Sequence, residues 1–380
     1  MRVLHLTRDY PPASLGGIST AVGGMTAALQ RRDVEVAVVS FDGWRPSRNS
    51  AAAAPHRTGD DRAVFRVASG SELAAATAFA RALSPQLLHV HHATLWPFAA
   101  ALRAELRAPA IKSVHVLQIV QNRLRKLCEP TRSQTEQELA LQQADRILAP
   151  SRRCLSDLAE HYPDTKARLR LAPLAVDDSD QARAAASAPR REPIVLTAGR
   201  FDPVKGTDLL FEALPAVLEA MPAARWVIAG GIPANRRSER RWLAQWQTRL
   251  PAHLLARLEL TGWLDVAELG ALYQRAMVLV VPSRYETFGL TPLEGMLHGL
   301  AVVAADAGAL PELFEDDASG RHFPCGDARA CADAVLALLR QPQTAMRLGR
   351  DAAARARSAY LWDGRIEAVL AVYRELCGAR

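Results

Sequence analysis

The chain has 380 residues, of which 49% are hydrophobic and 23% are charged, and its formal net charge is +7. This length and composition are typical of a globular protein with two domains, and they exclude a disordered or fibrous chain. Five scattered cysteines without metal-site spacing favour a reducing compartment over a disulfide framework or a zinc cluster. Because no segment has the apolar length of a signal-peptide core or a membrane span, we expect a soluble, cytoplasmic protein.

The positive charge is concentrated in the first half of the chain. Residues 1–176 contain 23 Lys and Arg against 15 Asp and Glu, an excess of +8, which leaves −1 for the remainder. No nucleic-acid module and no basic strand interleaved with aromatic residues is recognisable, so nucleic acid is not an expected partner. An arginine-rich solvated surface accounts for the excess most simply. The alternative is contact of the basic segment 118–127 with an anionic acceptor or, peripherally, with the inner face of a membrane.

Residues 1–177 alternate apolar strands with helical patterns, which predicts an α/β domain with a parallel sheet. Between the first two strands, Gly16 and Gly17 open a helix, and a backbone without side chains at a helix start can approach a phosphate closely. The absence of a G-x-G-x-x-G sequence disfavours a dinucleotide site. Residues 43–62 are predicted to be an irregular connection. The predicted strands cover residues 2–7, 34–40, 64–67, 87–92 and 110–116, and residues 169–177 close the domain.

Histidines follow two of these strands. His89 and His91 are two positions apart and therefore share one face of a strand, whereas His92 points away. No carboxylate cluster accompanies them, so the sequence predicts no metal site. His115 stands at the end of the next strand, where a single histidine is either structural or part of a site.

Residues 178–192 are rich in Ser, Ala and Arg and show little apolar periodicity, so we interpret them as an interdomain linker. The α/β alternation then restarts over residues 193–359. The turn at 199–206 leads into a helix predicted to start near Thr207, and it carries Arg200 and Lys205. These two cations either form surface ion pairs or bind an anion. Strands are predicted at 194–198, 225–231, 258–265, 278–282 and 301–305, and Ala-rich helices at 327–339, 344–358 and 362–376.

The strongest functional signal lies in residues 278–312. A buried strand ends at Pro282, and after a loop a helix is predicted with Thr291 as its N-cap and Glu294 completing a capping box, ending at Gly299. The loop therefore lies at the carboxyl end of a parallel strand and before a helix N-terminus, where open α/β sheets bind ligands and anions are favoured. Glu286 in the loop and Glu294 in the helix also have ordinary interpretations, as a solvated acid and a capping residue.

The spacing Glu286-x7-Glu294 resembles the retaining GT-B glycosyltransferases of family 4, also called glycosyl transferases group 1. The resemblance spans nearly the whole chain and extends to further residues of the same segment, namely Phe288, Gly289, Gly308, Pro311 and Glu312. It implies an α/β GT-B fold of two Rossmann-like domains that face a deep interdomain cleft, with the last helix, about residues 360–380, packed back on the first domain. It also implies hexosyl transfer from a UDP- or GDP-sugar to an acceptor hydroxyl, with retention and with no metal or other cofactor. The acceptor stays unknown.

The resemblance further implies a role for each candidate residue. Glu286 would hold sugar hydroxyls and stabilise the positively charged sugar, and Glu294 would bind the ribose diol. Arg200 and Lys205 would stabilise the leaving diphosphate, because negative charge accumulates there. His115 would lie beside the donor sugar and the acceptor as a neutral hydrogen-bond donor. The other implied donor-binding residues are Gly16 and Gly17 at the pyrophosphate, Phe288, Gly289 and Leu290 through their backbone, and Trp263, Leu264 and Asp265 at the nucleobase.

Alternatives remain open at this stage. Trp263 has the competing interpretation of a packed core residue. A nucleotide-sugar epimerase or a phosphorylase-like enzyme would share the fold, although the cofactor-anchoring lysine of a phosphorylase is not recognisable. A catalytically silent nucleotide-sugar-binding subunit is expected to have lost one of the two glutamates or of the Arg200 and Lys205 pair, and all four residues are present.

Overall fold

A computed structural model describes residues 1–12, 16–42, 56–57, 63–68, 70–188, 191–231 and 237–378. Its strands are β1 (Arg2–Thr7), β2 (Glu35–Ser40), β3 (His56–Arg57), β4 (Ala63–Arg66), β5 (Leu87–Val90), β6 (Ala110–Ser113), β7 (Arg146–Ala149), β8 (Leu169–Leu171), β9 (Ile194–Ala198), β10 (Arg225–Ala229), β11 (Leu258–Gly262), β12 (Val278–Val281), β13 (Ala301–Asp306) and β14 (Arg321–Pro324).

Its α-helices are α1 (Gly17–Gln30), α2 (Leu73–Leu83), α3 (Trp96–Leu106), α4 (Gln118–Leu124), α5 (Arg132–Gln143), α6 (Arg152–His161), α7 (Asp180–Ala186), α8 (Leu210–Ala220), α9 (Arg237–Arg249), α10 (Ala252–Leu255), α11 (Val266–Arg275), α12 (Leu290–Leu297), α13 (Ala328–Arg340), α14 (Pro342–Ala359) and α15 (Trp362–Cys377). Among the described helices, none combines the length and the apolar character that crossing a bilayer requires.

The first compact unit consists of Met1–Ala175 together with Trp362–Arg380. Its sheet has the strand order β3-β4-β2-β1-β5-β6-β7-β8, and every pair is parallel except β3 with β4. Helix α15 belongs to this unit and packs against α1 and β5. Arg146 and Arg170 both bind the carboxylate of Glu375 on α15, at 2.6 and 2.7 Å. Their hydrogen bonds lower the pKa of Glu375 to about 2.

The second unit, Val176–Leu361, contains a six-stranded parallel sheet. The strand order is β11-β10-β9-β12-β13-β14, so the first strand of the unit lies between the second and the fourth. In open α/β sheets, ligands bind at the carboxyl ends of the strands where the order reverses in this way. The loops that follow β9 and β12 meet at that point. They carry three of the four charged residues that the sequence singles out, Arg200, Lys205 and Glu286.

The core of the second unit explains why its strands are recognisable as apolar runs in the sequence. Val278, Leu279, Val280 and Val281 in β12 are each at most 5% exposed, as expected for a strand covered on both faces. Helices α8 and α13 pack on each other against the sheet, and Trp226 and Trp246 are fully buried among their apolar side chains.

The predicted linker at 178–192 is corrected by the structure, because it contains helix α7. Ser179 caps this helix by accepting a hydrogen bond from the Ala182 amide at 3.1 Å, and the alanines at 182 and 185 are buried. Arg191 is also buried, and it donates hydrogen bonds to the carbonyls of Ala185, Tyr273 and Ala276 at 2.8–2.9 Å. A short alanine helix shows no apolar period, which is why the pattern indicated a linker.

Smaller differences concern the ends of elements. The strand predicted at 110–116 ends at Ser113, and the helix predicted near Thr207 begins at Leu210, after a 3₁₀ turn at Pro203–Lys205. The predicted irregular connection at 43–62 lies outside the described residues except for β3. Residues 189–190 of the predicted linker are outside them as well.

Candidate active site

Lys205 and Glu286 meet at the carboxyl ends of two adjacent strands of the second unit. Lys205 lies in the turn that follows β9, and Asp202 holds this turn by accepting a hydrogen bond from the Val204 amide at 2.9 Å. Glu286 lies in the loop that follows β12. The Lys205 Nζ atom donates to Oε1 of Glu286 at 2.7 Å, with side-chain exposures of 26% and 14%. The structure thus brings two of the predicted charged residues into direct contact.

The Glu286 loop is fixed on both sides of this contact. The Ser283 hydroxyl donates to Oε1 of Glu286 at 2.7 Å, and the Ala309 amide donates to its carbonyl at 2.9 Å. Gly308 has a φ of 57°, and a Cβ atom there would lie 2.3 Å from the Glu286 carbonyl oxygen. Only glycine permits this approach. The carboxylate of Glu286 therefore points from a loop that neighbouring backbone holds in place.

The two loops are also tied to each other. Gly206 has a φ of 65°, and a Cβ atom there would lie 1.8 Å from the Pro282 carbonyl oxygen, so the close approach of the loops requires glycine. The Arg284 amide donates to the Val204 carbonyl at 2.8 Å. The Arg284 guanidinium also binds both carboxylate oxygens of Asp208, at 2.6 and 2.7 Å. Such forked pairs fix geometry, which keeps Lys205 next to Glu286.

A pocket opens beside the ion pair, and Thr207 is a lining residue that sequence reasoning missed. Gly199, Lys205, Ser283 and Glu286 also line it. The Thr207 hydroxyl is buried and, among the described residues, has no hydrogen-bond partner. An unmade hydrogen bond of this kind costs about 1–3 kcal/mol, so a bound ligand that supplies the partner would be favoured. No sequence signal marked it, because threonine is ordinary near a helix start.

Arg200 stands apart from the ion pair. It is exposed and forms no hydrogen bond or ion pair with the part of the chain that the structure describes. The structure therefore does not bring it into contact with Lys205 or Glu286. Its guanidinium is available to a ligand from the turn after β9.

The predicted capping role of Glu294 is wrong. Helix α12 begins at Leu290 with Gly289 as its N-cap, so Thr291 lies inside the first turn and caps nothing. Glu294 is half-buried, and the Tyr273 hydroxyl donates to its Oε2 atom at 3.2 Å. Burial raises the pKa of Glu294 to about 7, although the Tyr273 hydrogen bond opposes this, and burial raises the pKa of Tyr273 well above its usual value. Proline at 292 follows the actual helix start by two positions, which misled the prediction.

The other donor-site candidates of the second unit have clear local roles. Phe288 is 4% exposed, with its ring centroid 6.3 Å from that of Tyr360, so it offers a ligand its backbone only. Asp265 caps α11 in a reciprocal capping box with Glu268, at 2.8 and 2.9 Å. Trp263 is 37% exposed, so its interpretation as a packed core residue is wrong. Leu264 is half-buried beside it, and Leu290 is the first residue of α12.

Gly16, Gly17 and His115 belong to the first unit. Gly16 is the N-cap of α1 and Gly17 is its first residue. His115 lies two residues beyond β6, is buried, and is 3.0 Å from a ring nitrogen of His91. Burial, and then the nearby Lys112, lower the pKa of His115 to about 3, so its imidazole is neutral at neutral pH.

One group of described residues has ligand atoms close enough together to hold a metal ion. The predicted pair His89 and His91 is joined by His5, and one nitrogen of each ring lies within 4.8 Å of the others. All three rings are already hydrogen-bonded to neighbouring side chains. An Asp-x-Asp sequence occurs at Asp178–Asp180, where Asp178 is paired with Arg183 and Arg357 at 2.8 and 3.0 Å. Arginines thus already neutralise that carboxylate.

Comparison with known families covers both halves of the chain. Residues 15–180 match the family described as Glycosyltransferase Family 4, and residues 178–355 match Glycosyl transferases group 1. The chain belongs to the GT-B glycosyltransferases of family 4. The prediction of the family and of the α/β fold is thereby confirmed.

Curated relatives of this chain have different names. The D-inositol 3-phosphate glycosyltransferase of Segniliparus rotundus is 26% identical over 307 residues, which cover 76% of this chain and 66% of that protein. The match thus spans slightly less than two thirds of that relative. The glycogen synthase of Mycobacterium tuberculosis is 27% identical over 403 residues, covering 98% of this chain and 94% of that protein.

Solved structures share the fold over the whole chain. Sucrose-phosphate synthase from Thermosynechococcus elongatus has a TM-score of 0.82 at 23% identity, with full coverage of both chains. Anabaena Alr3699/HepE, solved in complex with UDP-glucose, has a TM-score of 0.71 at 17% identity and covers 98% of this chain and 100% of its own. At these identities the similarity establishes the fold alone.

Proposed function

We propose that this glycosyltransferase moves a sugar from a nucleotide-sugar donor to an acceptor hydroxyl and retains the anomeric configuration. The observation that carries the proposal is the Lys205–Glu286 contact of 2.7 Å at the reversal point of the second sheet. A cation and a carboxylate held side by side suit a ligand whose negative and positive charges are adjacent. The β-phosphate and the anomeric carbon of a nucleotide sugar have that arrangement as their bond breaks.

Lys205 and Arg200 supply positive charge to the leaving group. As the bond between the anomeric carbon and the phosphate oxygen breaks, both bonding electrons stay with the phosphate. Lys205 Nζ stabilises that oxygen as a point charge, and the exposed Arg200 can fork onto two others. The buried Thr207 hydroxyl gains the hydrogen bond it lacks by donating to a phosphate oxygen. Because these groups supply the charge that a divalent ion supplies elsewhere, we propose that turnover needs no metal.

Glu286 acts on the sugar. Its carboxylate accepts hydrogen bonds from sugar hydroxyls and stabilises the positive charge that develops on the ring. The acceptor oxygen then bonds to the anomeric carbon on the face that the phosphate leaves. The departing phosphate oxygen takes the acceptor's proton, so no separate base is required and the configuration is retained.

In this proposal the nucleoside half of the donor binds beyond the Glu286 loop, near Glu294 and Trp263. Glu294 accepts hydrogen bonds from the ribose diol, and the exposed Trp263 offers a face for the base. The amides at the start of α12 have no partner within the helix and face negative charge favourably. UDP-glucose in the Anabaena protein is in keeping with a nucleotide sugar as the donor class.

A donor panel tests the proposal. We expect one of the UDP-, GDP- and ADP-sugars to raise the melting temperature selectively, because a ligand at 100 times its Kd adds about 2.7 kcal/mol to the stability of the folded form. The stabilising donor is then incubated with a pool of acceptors, with and without EDTA, and the anomeric configuration of the product is read by NMR. Retention, unchanged by EDTA, is the expected result.

Other outcomes of the same panel assign the alternatives. Conversion of the donor into an isomer without acceptor would indicate an epimerase. Selective stabilisation with no turnover of any acceptor would indicate a silent binding subunit. An inverted product would contradict the proposed roles of Glu286 and of the departing phosphate.

A further inference from the structure

A continuous chain of buried hydrogen-bonding groups runs through the first unit and ends at His115. In order, its members are Ser113, His89, Tyr373, His5, His91 and His115. The successive links are Ser113 Oγ to His89 Nε2 at 2.7 Å, His89 Nδ1 to Tyr373 Oη at 2.6 Å, Tyr373 Oη to His5 Nε2 at 3.4 Å, His5 Nδ1 to His91 Nε2 at 2.9 Å and His91 Nδ1 to His115 Nε2 at 3.0 Å.

The sheet explains why these groups meet. His5 in β1 is paired in register with His89 in β5, and side chains two positions apart share a face of a strand, which adds His91. The rings of His89 and His91 stack with centroids 4.3 Å apart. Tyr373 reaches the group from α15, at the other end of the sequence. Every member is at most 9% exposed, so these groups satisfy one another's hydrogen bonds.

His89, His91, His115 and Tyr373 in the hydrogen-bonded chain are neutral at neutral pH. Burial lowers the pKa of His89 and His91 well below the usual value, and it raises the pKa of Tyr373 well above its own. The charged neighbour is Lys112, which donates to the His91 carbonyl at 2.8 Å and which lowers the histidine pKa values further. Burial lowers the pKa of Lys112 itself to about 7.

The tautomers of neutral imidazole rings in such a hydrogen-bonded chain depend on one another. A neutral imidazole donates from one nitrogen and accepts at the other, so the direction of one link fixes the direction of the next. If His115 carries its proton on Nδ1, then His91, His5 and His89 must carry theirs on Nδ1 too. If the links run the other way, His115, His91 and His5 are protonated on Nε2, and so is His89 when the Tyr373 hydroxyl donates to its Nδ1. The Tyr373 hydroxyl joins the two parts, because it donates to one ring and accepts from the other.

We propose that this chain of buried hydrogen-bonding groups sets the tautomer and the ring orientation of His115, and that Tyr373 is a positioning residue for sugar transfer. The proposal rests on the proposed function and on the role that the family resemblance implies for His115, a neutral hydrogen-bonding group beside the donor sugar and the acceptor. A ring whose Nε2 is held by the hydrogen-bonded chain keeps one fixed protonation state at Nδ1. Tyr373 acts through His5 and His91 and does not touch the substrate.

The test combines the variant Tyr373→Phe with NMR of the protein labelled with ¹⁵N-histidine. The substitution removes one oxygen and keeps the ring that meets His89 edge-on, with centroids 5.7 Å apart. In the wild type we expect the four chain histidines to share one tautomer. In the variant we expect a mixture of tautomers at His115, and a kcat lower by about tenfold with little change in KM, as for other groups that orient a functional side chain.

Tyr162→Phe is the matched control, because the Tyr162 hydroxyl donates to Glu138 at 3.4 Å in the same unit but outside the chain. It should leave the tautomers and kcat unchanged. Unlike tautomers among the four wild-type rings would overturn the proposal without any variant. A single, unchanged tautomer at His115 in Tyr373→Phe would overturn it too. Paramagnetic shifts of His5, His89 and His91 on adding Co²⁺ would also overturn it, because they would show that these rings bind a metal ion. The spectra need no substrate, so absent wild-type turnover contradicts the proposed function alone.

Discussion

Replacing Lys205 with alanine is expected to lower kcat by about 10³-fold, in the range seen when a group aimed at developing negative charge is removed. Lys205 Nζ is the cation in contact with Glu286, and in the proposed reaction it faces the phosphate oxygen that receives the bonding electrons. Its side chain is 26% exposed, so the folded structure tolerates its loss. Steady-state kinetics with the stabilising donor measure the effect, and circular dichroism checks the fold.

Lys166→Ala is the matched control, because it removes the same charge from an exposed 3₁₀ turn of the first unit. It should leave kcat unchanged. Since Lys205 and Glu286 touch, their separate effects should not add, and the double variant Lys205→Ala with Glu286→Gln should lose far less than the product of the two single losses. Wild-type turnover in Lys205→Ala would remove the leaving-group role, and strictly additive effects would mean that the two residues do not act on one ligand.

Much of the second unit was predictable because its strands are buried on both faces. A parallel strand in that position consists mostly of apolar residues, and β9, β12 and β13 were recognisable as such runs. Because the ends of these strands were recognisable, Arg200, Lys205 and Glu286 could be placed in the loops that follow them. The contact between Lys205 and Glu286 depends on β9 lying next to β12, and nothing in either local sequence specifies that neighbour.

Residues that act through packing were not predictable. Thr207, Tyr273 and Tyr373 have no distinctive local pattern, and the roles of the two tyrosines depend on partners 21 or more positions away along the sequence. His5 is a further example, because it lies within an apolar strand and meets His89 only through pairing of β1 with β5. The capping error at Glu294 had a different origin. Thr291 followed by Pro292 is typical of an N-cap and the first residue of a helix. The helix nevertheless begins two residues earlier, with Gly289 as its N-cap.

Glu294→Gln is expected to raise the stability of the second unit at pH 8 while weakening donor binding. The folded pKa of Glu294, about 7, exceeds its ordinary value of 4.5, so the folded state binds this proton more tightly than the unfolded state does. The stability contribution of Glu294 is therefore complete below about pH 4.5, falls as the pH rises, and is lost above about pH 7. Glutamine does not titrate and keeps the hydrogen bond with Tyr273. The expected gain at pH 8 is about 1–3 kcal/mol, because solvent reaches the half-buried carboxylate and screens it.

Urea unfolding of the wild type and of Glu294→Gln between pH 5 and 8 measures this difference, with amide exchange in β12 and β13 reporting on the second unit. Other titrating groups, such as Lys112 and the buried histidines, are common to both proteins and cancel in the comparison. Glu219→Gln, on the exposed side of α8, is the control and should follow the wild type.

In the wild type, donor affinity should rise from pH 6 to 8 as Glu294 ionises, since a carboxylate accepts hydrogen bonds from a diol more strongly than a carboxylic acid does. An equal pH dependence of stability in Glu294→Gln would show that the carboxylate is not the group responsible, and an unchanged donor affinity would remove Glu294 from the donor site.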